Sequence, residues 1–93
     1  MINEKEMIDY VDIENAIKTK LKTYESYGID NAREFKEDAN NSLILEKDIM
    51  FLLQEEGTGE DYFELSKLLR LIKEDNKKFR EFGKQYNIDI KSK

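Results

Sequence analysis

The stretch YFELSKLLRLIKEDNKKFREFGKQY, residues 62–86, decides the fold. Within it Tyr62, Leu65, Leu69, Ile72, Asn76, Phe79, Gly83 and Tyr86 recur at spacings of three and four without a slip, and Leu68 and Phe82 widen the stripe. That period gathers them on one side of an α-helix, whereas a strand would scatter them over both faces. The segment from Gly59 to Tyr86 is therefore read as one helix, roughly 42 Å long at ~1.5 Å per residue. A stripe sustained over that length calls for a neighbouring helix at a shallow crossing angle.

Working outward, Glu56, Gly57, Thr58 and Gly59 form a turn signal: Gly57 stops one helix and Thr58 starts the next, with Asp61 three residues on in capping-box position. Upstream of it, residues 32–55 read as a second helix whose inward face carries Phe35, Ala39, Leu43, Ile49, Met50 and Leu53. The run Asp38, Ala39, Asn40, Asn41, Ser42 is a poor helix interior, because short polar side chains compete for backbone hydrogen bonds, and it leaves open whether the second helix kinks or breaks near Asn40 to Ser42. An earlier turn lies at Tyr27, Gly28, Ile29, Asp30. There Gly28 suits the left-handed conformation, and Asp30 or Asn31 caps the next helix with Glu34 nearby. Before it, Tyr10, Ile13, Ile17, Leu21 and Tyr24 line one face of a first helix over about 3–27, starting at Asp12 if its N-terminus frays. Beyond the third helix, Tyr86, Asn87, Ile88 and Asp89 repeat the stop signal with Asn in the left-handed role, leaving a short tail over 87–93.

Three helices joined by short turns predict an all-α fold in a single domain over residues 1–93, an up-down-up antiparallel three-helix bundle. The alternative is a helical hairpin that completes its core as a homodimer. A chain of 93 residues buries only about 60 to 65% of its unfolded surface, so self-association is a natural supplement.

Composition narrows the chemistry. There is no Cys, His, Trp or Pro. Thiol chemistry, disulfides, imidazole bases and Cys/His zinc sites are thereby removed, and no catalytic residues, metal ligands or cofactor-binding residues are assigned. Ser26, Ser42, Ser66 and Ser92 lack a nucleophile context. Gly57, Thr58 and Gly59 lack the Lys, the third Gly and the preceding strand of a phosphate loop. The acids around that turn lack the alternating spacing of a calcium loop. The chain is read as non-enzymatic. Its acidic start, MINEKEMIDY, has neither the basic opening nor the apolar run of a signal peptide, and Leu43 to Leu53 is far short of the roughly 20 apolar residues that span a bilayer. A cytoplasmic protein with no membrane partner is expected. Lys outnumbers Arg 13 to 3, and Ile reaches 10, a bias suited to a low-GC bacterium or its phages and other mobile elements.

Charge speaks to partners. The formal net charge is −5, which disfavours nucleic acid, since affinity for phosphates comes mainly from Lys and Arg. From Asp48 to Ser66 there are six acids and no base, whereas Lys73 to Lys93 holds seven bases against four acids. Glu55 and Glu56 close the second helix where its dipole disfavours negative charge, and Glu60, Asp61 and Glu64 stack more across the turn. Beside them, Ile44 and Phe51 project about 160° to 180° from Phe35 on the side expected to face water, and Phe63 falls outside the stripe of the third helix. A partner-binding patch of Ile44, Phe51 and Phe63, ringed by Glu55, Glu56, Glu60, Asp61 and Glu64, suits a protein surface with an apolar pocket and a basic rim. The expected function is a small interaction module, an inhibitor or regulator. A self-associating assembly subunit and a helical DNA-binding regulator are the alternatives.

Overall fold

In the computed structural model, which describes residues 4–55, 59–88 and 90 with side chains at 9–55, 62–88 and 90, three helices follow one another: α1 Glu4–Tyr27, α2 Ala32–Glu55 and α3 Gly59–Gln85. No strand occurs among the described residues. The helices form a compact bundle of 41 × 23 × 17 Å, whose long dimension is the length of α3. α1 and α2 line one groove with Tyr10 to Lys20 against Asp48 to Asp38, and near the turn Lys20 bonds to Glu34 and the Tyr24 hydroxyl donates to Asp38. Phe35 against Phe79 and Glu46 against Asn76 set α2 antiparallel to α3. The chain thus runs up, down and up, and α2 and α3 share the larger interface.

The turns close as the local chemistry directs. At the end of α1 the Gly28 N–H donates to the Tyr24 carbonyl at 2.8 Å, with Gly28 at φ 80°. This is the left-handed cap that a residue without a Cβ adopts at least cost. The Asn31 side chain then accepts from the Glu34 N–H at 3.1 Å, so Asn31 rather than Asp30 is the N-cap of α2. At the end of α3, Asn87 takes φ 57° and the Ile88 N–H reaches back to the Gly83 carbonyl at 2.7 Å, the six-to-one bond of a Schellman motif. Ile88 folds against the core, as the residue after such a cap commonly does. Gly57 and Thr58, which the sequence assigns to the second turn, lie outside the described residues.

The core is continuous through all three helices: Ile17, Leu21 and Tyr24 from α1, Phe35, Ala39, Leu45 and Ile49 from α2, and Leu65, Leu68, Ile72 and Phe79 from α3. Burying one such aliphatic or aromatic side chain contributes about 1.5–3 kcal/mol, which must offset the ordering of the chain. In the first turn of α2, Phe35 is fully buried and meets Tyr24 and Phe79 edge-on, with ring centroids 5.2 and 5.5 Å away. One residue thereby joins all three helices.

One open question is settled and three expectations are corrected. α2 runs unbroken through Asn40, Asn41 and Ser42, because Ala39, Ser42 and Leu43 are buried and packing outweighs weak local propensity. Met50 is exposed, and Leu45 takes a core place instead. The reason is that α2 is covered from two sides, so its buried arc is wider than one stripe. Ile13 is 44% exposed, since α1 turns Glu14 inward at that level. Tyr62 and Tyr86, the ends of the α3 stripe, are exposed as well, although the Tyr86 hydroxyl lies beside Gly28.

Candidate interaction surface

A groove of about 410 Å³ runs between α1 and α2. Its floor and walls are apolar: Tyr10, Ile13, Ala16 and Ile17 from α1 face Ile44 and Leu45 from α2. The period that buries Ile17 and Leu21 carries Tyr10 and Ile13 only to the edge of the core, since α1 leans on α2 less than α3 does. Lys20, Asp38, Asn41 and Asp48 complete the lining. At the Lys20 end the charges are engaged: Lys20 pairs with Glu34, and Asp38 accepts from Tyr24, whose hydroxyl pKa is pushed up by burial and then by that bond. At the Tyr10 end the exposed Asp9 precedes Ile13 by one turn of α1, and Asp48 lies one turn beyond Ile44 on α2. Negative charge therefore flanks this end of an apolar trough.

Among the residues that the sequence singles out for a partner, Ile44 is 51% exposed, Phe51 61% and Phe63 76%. Ile44 and Phe51 stand two turns apart on one outward line of α2, and of the two Ile44 lines the groove. Phe63 belongs to α3, on the side away from buried Leu65 and Ile72, and its ring meets Tyr62 edge-on at 6.5 Å. Ile44 is thus grouped with α1 residues, while Phe63 is not among those lining the groove. Glu55 and Glu64 are exposed. Glu56 lies outside the described residues, and Glu60 and Asp61 are described only as part of the α3 backbone. Sequence reasoning missed Ile13 as a surface residue, because periodicity shows that a side is apolar and not how closely the next helix covers it.

A second arrangement lies inside the bundle. Glu14, Ser42, Asp75 and Asn76 are all buried, one or more from each helix. Asn76 donates to Glu46 at 2.6 Å, giving the polar stripe residue a partner on α2. Glu14 lies within hydrogen-bonding reach of Asp75. Burial, then this bond, then the negative charge of Asp75 push the Glu14 pKa up from 4.5 to about 7, against a smaller opposing pull from Lys18. Glu14 Oε1, Ser42 Oγ, Asp75 Oδ2 and Asn76 Oδ1 have no hydrogen-bond partner among the described residues. The sequence gives no sign of this layer, since Glu14 and Asp75 look like ordinary surface carboxylates in a chain that is 40% charged.

No helix among the described residues is long and apolar enough to cross a membrane. Comparison with protein-family models, with curated proteins and with solved structures finds no match to this chain.

Proposed function

We propose that the chain is a non-enzymatic protein–protein interaction module, an inhibitor or regulator from a low-GC bacterium or its mobile elements. It acts by seating an apolar segment of a partner, with basic residues at its rim, on the surface formed by α1 and α2. The observation that carries this reading is the exposure of Ile13 and Ile44 in one apolar groove, with exposed Phe51 two turns beyond Ile44 on α2. Large apolar side chains clustered in a concave surface mark binding sites far more often than singly scattered ones do. Asp9 and Asp48 at one end of that groove, together with the net charge of −5, favour a cationic partner and oppose a like-charged one.

The test uses wild type and the Ile44→Ser/Phe51→Ser variant as baits in a low-GC bacterial lysate, with quantitative mass spectrometry and light scattering of each pure chain. Both substituted side chains are largely exposed, so helicity by circular dichroism is expected to stay unchanged. A defined protein retained by wild type and lost from the variant supports the proposal. Identical captured sets refute it, and a wild-type dimer that becomes monomeric in the variant assigns the surface to self-association instead.

A further inference from the structure

The N-terminal half of α1 is attached to the bundle in an unusual way. From Asp9 to Ala16 the one buried side chain is Glu14; Tyr10 is half-buried and the other six residues are exposed. The C-terminal half, by contrast, buries Ile17, Leu21 and Tyr24 in the apolar core. A carboxyl group occupies the position where a leucine would ordinarily anchor the helix, and it meets a second carboxyl, Asp75, on α3.

Two buried carboxyl groups can face each other in comfort only while they share a proton, because like charges at hydrogen-bonding distance in a desolvated site repel strongly. The surrounding groups do little to relieve that repulsion. On its own helix Glu14 is approached by Lys18, whose pull is the smallest influence on it. α3 presents Asp75 and the neutral Asn76, and α2 contributes Ser42 and Glu46, the latter already engaged by Asn76. No buried cation compensates the pair among the described residues.

We propose that Glu14, facing Asp75, forms a proton-operated latch that holds the N-terminal half of α1 on the bundle, closed while Glu14 carries its proton and released when Glu14 is ionised. Release moves Tyr10, Ile13 and Ala16, one wall of the α1–α2 groove, while the core from Ile17 onward stays in place. The latch stands independently of whether that groove takes a partner.

The sign follows from the two states of Glu14. In the closed form its pKa is raised to about 7, and in the open form it returns to the ordinary 4.5. Closure is therefore fully supported below pH 4.5 and loses support as pH rises to about 7, beyond which nothing further is lost. Across that window the opening constant grows on the order of 300-fold.

Amide hydrogen exchange of the intact chain, corrected for intrinsic rates and followed from pH 4.5 to 8.5, reads this directly. Amides at residues 11–16 are expected to exchange by an opening smaller than global unfolding, one that Ile49 and Ile72 do not share, and to lose protection by that factor before levelling off near pH 7. Glu14→Gln, which keeps the shape and a neutral donor, should hold the segment closed at every pH. Asp75→Asn removes the facing charge and should shrink the pH effect, leaving the part that burial supplies. The latch is overturned if residues 11–16 are protected as well as Ile49 throughout, if protection is independent of pH in wild type, or if Glu14→Gln keeps the wild-type pH profile.

Discussion

Removing the Phe35 ring is the sharpest test of how the bundle is held together. Phe35 is fully buried, and its two edge-on partners, Tyr24 and Phe79, lie on the two other helices. Truncating a core phenylalanine to alanine costs about 3–5 kcal/mol, comprising lost transfer free energy and the cavity left behind. Within that figure each edge-to-face pair accounts for about 0.5–1.5 kcal/mol. The upper part of the range is expected for Phe35→Ala, because collapse of the site would require all three helices to move together. At about 0.05–0.15 kcal/mol per residue a 93-residue domain has only about 5–14 kcal/mol in total, so the variant retains a fraction of it. At roughly 4–8 °C per kcal/mol, Tm should fall by about 16–40 °C. Phe35→Leu keeps most of the apolar volume while losing both ring contacts, and should cost about 1–2 kcal/mol. Urea unfolding followed by circular dichroism, with m-values compared to confirm two-state behaviour, gives both numbers. A Phe35→Ala variant within about 1 kcal/mol of wild type would show that the three helices are not joined through this ring.

Two further substitutions carry definite signs. Ser42 is fully buried and its hydroxyl has no partner among the described residues, so Ser42→Ala removes a desolvation cost and improves helix propensity; chemical denaturation should show a gain of about 1–2 kcal/mol, and a loss would mean that the hydroxyl has a stabilising partner. Gly83→Ala is favoured by propensity by up to about 1 kcal/mol, yet its Cβ would come within 2.7 Å of the Ile88 carbonyl oxygen and 3.2 Å of Ile90 Cδ1. A thermal melt should therefore show a net loss of about 1–3 kcal/mol, and a more stable variant would contradict the cap geometry at the end of α3.

The helices were legible in the residues themselves. Spacings of three and four, a glycine before Ile29 and an asparagine before Ile88 are local signals, and each acts within one or two turns of chain, so element type and boundaries follow from sequence alone. The inward places of Ile17, Leu21, Phe35, Leu65, Ile72 and Phe79 follow too, because a long apolar stripe has nowhere else to go. What tertiary structure decided is the amount of cover each side receives. Ile13 and Met50 share their stripes with buried neighbours yet remain at the surface, and Ile44 lines a groove with α1 rather than standing alone. The crossing of three helices fixes those outcomes, and no window of sequence contains it. The same holds for Glu14 and Asp75, which are 61 positions apart in a chain rich in acids. Only packing brings the two carboxyls into one water-poor layer, where burial and mutual repulsion give Glu14 a property that its own sequence neighbourhood does not.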